Sequence, residues 1–461
     1  MICRWLMAAW IVAAGVTARA GESLNDDALR KALDAALESH PTVKRTTVTL
    51  KVIDLESGEV LYDRGGDRLL TPASNLKIYT SACALDTFGS NHRFQTTVGA
   101  GCVMRNGNWY GDLWLIGGGD SILRTKDLAT IADRAVKEMH LKSISGRVKV
   151  DNSRYAGERL GPGWMWDDEP SDYSMAVTPL MLDFNTLTVK LTRGANGAEA
   201  KLAPPADYPS IRRAEKHNEG EQPSVTRRPF GDDLTLLEGV ELEKPVEQRL
   251  SVNDPGRWAA AVFEQMLRDR GVEFLPGMAG TKPSFVISPW VTHDGPPLSE
   301  TLKHFNHKSE NAVGEVLLHE IAIERGVKRP DWPAGAKVIS KWLVDKAGLE
   351  KGSFRLVDGS GLSRYNLISA DSSVRLLKYL HGSKHFDAFF QSLPIEKVDG
   401  KPVVSAKGGS MSGVSTMSGY IKTDDGRMLA FSLLANGFIG DNKPVFDLRQ
   451  CVWRELVRYR P

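Results

Sequence analysis

The sequence predicts an α/β (α+β) protein in which one mixed domain, built from both ends of the chain, is interrupted by β-rich inserted material. Three observations point there. A helical apolar pattern followed by two strand-like runs lies near the N-terminus, and two strand-like runs followed by a helix close the C-terminus. Between about 160 and 245, aromatics, prolines and short apolar runs alternate with no long helical pattern. Two chain ends that each supply part of one domain are expected to pack together.

The elements follow in order. Residues 24–39 have apolar positions at helical spacing, and 46–54 and 59–64 read as strands joined at Glu56-Ser57-Gly58. Thr71-Pro72-Ala73 leads into a predicted helix over 74–88, closed by Gly89. Residues 93–104 and 108–116 form a second hairpin pattern around Asn106-Gly107, before a helix near 126–139 and a strand near 145–152. Helical spacing returns at 255–271, 309–326 and 334–347, and strands at 414–423 and 428–436 precede a last helix over 445–458. The expected division is 21–94 with 247–461 as one discontinuous domain, and 95–246 as an inserted region of two smaller domains.

The first twenty residues stand apart. Arg4 precedes an apolar run over 6–16, and Ala18-Arg19-Ala20 has the small-x-small form of a cleavage site, so residues 1–20 read as a secretory signal peptide. The run is too short to span a bilayer, and no later window is long and apolar enough. Removing that segment takes Arg4 and Arg19 from 59 basic residues and nothing from the 57 acidic ones, leaving the two in balance. A neutral chain does not advertise nucleic acid or an anionic membrane as its partner. Cys83, Cys102 and Cys451 remain after it, with no zinc-site spacing; pairing of Cys83 with Cys102 is left open.

Three motifs carry chemistry. Ser74-Asn75-Leu76-Lys77 puts a hydroxyl and an amine three residues apart, on one face of a helix with Cβ atoms roughly 5–6 Å apart. A desolvated, uncharged lysine is a base for such a serine, and a helix N-terminus favours negative charge developing on an attacked carbonyl. A serine opening a helix is, however, usually only a cap. Ser309-Glu310-Asn311 is the second motif: Ser309 could relay a proton to a leaving amine, and the Asn311 amide could hold a substrate carbonyl. The same Ser-x-Asn pattern recurs at Ser23 and Ser251, and Ser309 is preferred because it opens a long amphipathic helix and is the only copy followed by suitable strand and loop material. Third, Lys407-Gly408-Gly409-Ser410 lies at the entrance of the C-terminal strands, where an edge can pair with an extended peptide. Lys407 offers charge for a substrate carboxylate, and Gly408 and Gly409 allow close backbone approach. The Ser410 N–H would complete an oxyanion hole with that of Ser74. Each motif alone is weak; their order matches the penicillin-binding proteins and serine β-lactamases.

The wording around the motifs is closer still. Residues 71–80 (TPASNLKIYT), 117–120 (GGGD), 308–315 (KSENAVGE) and 358–366 (DGSGLSRYN) resemble the D-Ala-D-Ala carboxypeptidase/endopeptidase family of penicillin-binding protein 4 type, the low-molecular-mass class C penicillin-binding proteins. The resemblance covers nearly the whole chain after residue 20, and the 235 positions between Ser74 and Ser309 fit that family's inserted domains. It implies a penicillin-binding/β-lactamase-like transpeptidase domain with a helix cluster on an antiparallel sheet. Ser74 would be the acyl-ester nucleophile, Lys77 the proton acceptor and Ser309 the proton relay. Asn311 would contact a substrate amide and Lys407 a carboxylate. The implied activity is removal of terminal D-alanine from peptidoglycan stem peptides, or cleavage of their cross-links. It needs no metal or organic cofactor, is trapped by β-lactams, and belongs to the periplasm. One departure stands out: the family usually has Thr where this chain has Gly408, so carboxylate recognition is expected to be weaker. A β-lactamase or esterase on the same scaffold, and a non-catalytic wall-binding protein, are the competing readings.

Other patterns carry less. Gly117-Gly118-Gly119 lacks the Lys-Ser/Thr of a phosphate loop, His304 and His307 lack the rest of a metal motif, and no Gly-x-Ser-x-Gly elbow occurs.

Overall fold

The structure is a computed structural model that describes residues 24–100, 103–195, 197–217, 222–239, 242–275 and 288–461. The expected signal peptide and Cys102 lie outside the described residues, and Cys83 is a buried free thiol.

A six-stranded antiparallel sheet joins the two ends of the chain. Its order is Ile395–Val398, Lys401–Met411, Val414–Lys422, Met428–Asn436, Thr47–Asp54, Val60–Arg64. The first strand of the chain pairs with the last, Leu50 facing Leu433 and Val52 facing Phe431. Both inner C-terminal strands are buried over almost their whole length, because helices cover both faces. Alternation sorts the side chains: Leu429, Phe431, Leu433 and Ala435 pack with the Asp26–Ser39 and Lys443–Val457 helices. Ala430 and Leu434 point the other way, into the core shared with the helices Lys77–Phe88, Leu298–Lys308, Asn311–Glu324, Trp332–Asp345 and Ala370–His381. The predicted outer helices and strands are therefore present, with ends shifted by up to three residues.

A second core holds most of the intervening chain. A four-stranded sheet, ordered Ser288–Pro297, Arg93–Ala100, Leu113–Gly118, Val148–Asp151, packs with the helices Thr125–Glu138 and Pro255–Arg268. Two three-stranded sheets account for much of 186–251, and no α-helix occurs among the described residues of 160–245. The Pro255–Arg268 helix was expected in the outer domain; its buried Trp258, Val262, Phe263 and Leu267 belong instead to this second core. Amphipathic spacing shows that a helix has a buried face, not which core receives it. The expected 93–104/108–116 hairpin is also divided: Val103–Arg105 and Asn108–Tyr110 form a small turn of their own, in a different sheet from Arg93–Ala100. Conversely, Met175, Val177, Met181 and Phe184 of the middle region pack into the first core. That return anchors residues 164–184 beside the site described next, where the Tyr173 carbonyl accepts from Asn311.

Candidate active site

Ser74 does not cap a helix. It lies in a 3-10 turn, Ala73–Leu76, that runs directly into the Lys77–Phe88 helix. Ala73, with φ 48°, adopts the left-handed conformation that forces the turn. A 3-10 turn eclipses residues i and i+3, and Lys77 Nζ accordingly donates to Ser74 Oγ at 2.9 Å. Two further acceptors complete the amine's set: Asn311 Oδ1 at 2.8 Å and the Ser360 carbonyl at 2.9 Å. Lys77 is fully buried, with the Phe305 ring 5.5 Å away. Burial lowers its pKa to about 8, against the opposing pull of the Glu315, Asp358 and Glu310 carboxyls. An amine so placed gives up its proton within reach of neutral pH while pointing at a serine hydroxyl.

Ser309 also differs from expectation. It is a left-handed residue, φ 57° and ψ 33°, between the Leu298–Lys308 and Asn311–Glu324 helices, and the helix proper begins at Asn311. The kink turns Ser309 Oγ toward the sheet, where Lys407 Nζ donates to it at 3.1 Å. Asn311 faces Lys77 with its oxygen and gives its amide hydrogens to the Tyr173 carbonyl at 3.0 Å. Lys407 is 4% exposed, and burial followed by the Lys77 charge holds its pKa well below the usual lysine range. The two lysines thus oppose each other's protonation across the cleft.

Lys407 and Gly409 share one face of the Lys401–Met411 strand, and Gly408 the other, opposite Met417. The close approach that Gly409 permits is to the turn that carries Ser74. A Cβ there would lie 2.5 Å from the Pro72 oxygen and 2.6 Å from the Asn75 nitrogen. At Gly408 a Cβ would meet only the Met417 methyl, at 3.3 Å, and the Thr416 oxygen, at 3.7 Å. Ser410 is exposed and pairs across the strands with Ser415. The outer neighbour, Ile395–Val398, covers this strand only as far as Ser405, so the edge beyond Ala406 has no strand partner among the described residues.

Sequence reasoning gave no role to the residues that tie these pieces together. Asn75, fully buried, donates to the Lys407 carbonyl at 2.7 Å and accepts from Ser418 Oγ at 3.0 Å. Thr416 Oγ1 donates to the Pro72 carbonyl at 2.6 Å. Glu315 accepts the N–H groups of Gly359 and Ser360 at 2.7 and 3.0 Å, fixing the turn whose Ser360 carbonyl meets Lys77. The available signal was an acid inside the apolar run 311–318, NAVGEVLL. Among the described residues, no cluster of His, Cys, Asp or Glu is arranged to hold a metal ion.

A serine and a buried lysine on one turn, faced by Ser-x-Asn between helices and Lys-x-Gly on a sheet strand, define a serine hydrolase of the penicillin-binding fold. The comparisons agree. The family model described as D-Ala-D-Ala carboxypeptidase 3 (S13) matches residues 29–452, and the chain belongs to that family. It is 32% identical to a D-alanyl-D-alanine carboxypeptidase of Actinomadura sp. (strain R39), over 89% of this chain and 81% of that protein. It is 24% identical to the D-alanyl-D-alanine carboxypeptidase DacB of Haemophilus influenzae, over 88% of this chain and 90% of that one. Among solved structures, penicillin binding protein 4 of Haemophilus influenzae superposes with a TM-score of 0.79 at 23% identity, covering 93% of this chain and 99% of that one. A predatory endopeptidase of Bdellovibrio bacteriovorus shares the fold at a TM-score of 0.51 and 13% identity, covering 89% and 93%.

Proposed function

We propose that the protein hydrolyses the D-Ala-D-Ala bond of peptidoglycan stem peptides, and the corresponding cross-links, through an acyl-enzyme on Ser74. The observation that carries this reading is the 2.9 Å contact between a fully buried Lys77 amine and Ser74 Oγ. Neutral Lys77 takes the hydroxyl proton as Ser74 attacks the penultimate carbonyl. The oxyanion is met by the N–H groups of Ser74 and Ser410. Ser309 passes the proton from Lys77 to the leaving nitrogen, the C–N bond breaks, and D-alanine or the cross-linked amine departs. Water then attacks the ester, with Lys77 as base, and Ser74 is regenerated. Lys407 holds Ser309 and meets the substrate's terminal carboxylate, Asn311 contacts a substrate amide, and the open strand edge pairs with the extended peptide. A β-lactam follows the same first step, but its leaving nitrogen stays tethered.

The outer domain, in this reading, comprises residues 24–94 and 298–461, so the insertion ends near Pro297 rather than at 246. The packing of the Pro255–Arg268 helix and the pairing of Ser288–Pro297 with Arg93–Ala100 support that boundary. Residues 1–20 direct export to the periplasm. Among the described residues no helix is long and apolar enough to cross a membrane.

Release of D-alanine from a stem pentapeptide, and of monomers from a cross-linked muropeptide, tests the proposal. Wild type is expected to act on at least one, and Ser74→Ala on neither. Rapid turnover of penicillin without peptide cleavage would favour the β-lactamase reading, and inactivity on all three substrates a non-catalytic one.

A further inference from the structure

Behind the reacting groups lie two carboxyls that the proposed cycle does not use. Glu315, fully buried one turn along the helix from Asn311, receives one backbone N–H on each oxygen, from Ser360 and Gly359. Asp358, 1% exposed, receives four donors: the Gly361 N–H at 2.8 Å and Asn366 Nδ2 at 2.7 Å on one oxygen, and the Ser363 N–H at 2.6 Å and Trp164 Nε1 at 3.1 Å on the other. The peptide between Ser360 and Gly361 is the link. Its N–H is given to Asp358, and its carbonyl accepts Lys77 Nζ at 2.9 Å. Hydrogen bonds in series polarise one another, so a carboxylate on the N–H side strengthens the carbonyl as an acceptor. The turn cannot drift, because Gly359 sits directly on Gly314 of the helix, where a Cβ would lie 2.0 Å from the Gly314 oxygen.

We propose that Asp358 and Glu315 are positioning residues for acylation: through the Gly359-Ser360-Gly361 turn they hold the Ser360 carbonyl against Lys77 and govern how readily that amine releases its proton. The inference rests on Lys77 being the base. The charged groups acting on Lys77 are Glu315 and Glu310 on the Ser309–Asn311 side, Asp358 on the turn and Lys407 on the strand; Phe305 supplies the uncharged wall. Both buried carboxyls favour the protonated amine, and burial opposes it. Burial also raises Glu315, to about 8, so it titrates in the same range as Lys77.

The test is the acylation rate constant with a fluorescent penicillin from pH 5.5 to 10, for wild type, Glu315→Gln, Asp358→Asn and Glu315→Asp, each checked by thermal unfolding. In wild type the rate should rise with pH to a plateau. Removing either carboxylate should move the midpoint of that rise to lower pH by at least about one unit, since any charge within about 12 Å at an effective dielectric near 20 is worth that much or more. Glu315→Asp should restore most of the wild-type midpoint. Folded variants that lose plateau rate with an unmoved midpoint, or whose midpoint rises, overturn the proposal. If Glu315→Gln does not fold, Asp358→Asn decides alone. A wild type that is never acylated instead defeats the functional reading, so the two failures are distinguishable.

Discussion

Substituting alanine for Gly409 asks whether strand and nucleophile turn must touch for Ser74 to react. The added methyl would lie 2.5 Å from the Pro72 oxygen, 2.6 Å from the Asn75 nitrogen and 2.7 Å from Thr416 Oγ1. Two of those atoms are backbone of the turn that carries Ser74, and the third is the hydroxyl that fastens the turn through Pro72. Relief to ordinary contact requires roughly 1 Å of separation. Overpacking of this kind costs about 1–3 kcal/mol of stability, a few degrees in Tm at most for a chain of this size. The kinetic effect should be far larger, because about 1 Å of misplacement at a reacting centre can cost on the order of a hundredfold. Stopped-flow acylation by a fluorescent penicillin beside calorimetry separates the two. The expected result is acylation slowed roughly a hundredfold with a Tm lowered only slightly. A Gly409→Ala protein that acylates within threefold of wild type would refute the reasoning that this contact places the nucleophile.

Other perturbations probe other joints. Acylation should rise as pH increases through about 8, because Lys77 must lose its proton to act; a rate flat from pH 6 to 9 would show that Lys77 is not the titrating base. Ser309→Ala removes the hydroxyl that Lys407 holds at 3.1 Å, and peptide turnover should fall about 10²–10⁴-fold while purified protein still folds. Asn75→Ala takes the side-chain donor from the Lys407 carbonyl and one of two partners from the Ser418 hydroxyl, which keeps Ser432, and should cost about 1–3 kcal/mol in denaturant unfolding as well as slowing acylation. Gly408→Thr needs only a small shift of the Met417 methyl; a hydroxyl reaching the substrate carboxylate would contribute about 1.5–3 kcal/mol, seen as a tenfold or greater gain in kcat/KM on a D-Ala-D-Ala peptide.

The residues proposed to react were more legible than the residues that hold them. Ser74 and Lys77 are adjacent in a local pattern, and the 3-10 geometry brings them together as a helix would. Ser309 was identified for its type and order, but its left-handed backbone leaves no mark in a Ser-x-Asn pattern that also occurs at Ser23 and Ser251. The central sheet was half visible: both hairpins could be read, whereas the pairing of Thr47–Asp54 with Met428–Asn436 is long-range and follows from which apolar faces need covering. The Pro255–Arg268 helix went to the wrong side for the same reason, its apolar stripe being compatible with either core. Asn75, Glu315 and Asp358 were passed over because their work is done on backbone groups of distant segments, which no spacing rule encodes.

The central claim is that Ser74 Oγ forms the covalent bond. Intact-mass and peptide mapping of the protein after brief exposure to penicillin measures this directly. The account predicts a single penicilloyl addition carried by the peptide containing Ser74, absent in Ser74→Ala. An adduct on any other residue, or a penicillin-labelled Ser74→Ala protein, would contradict it.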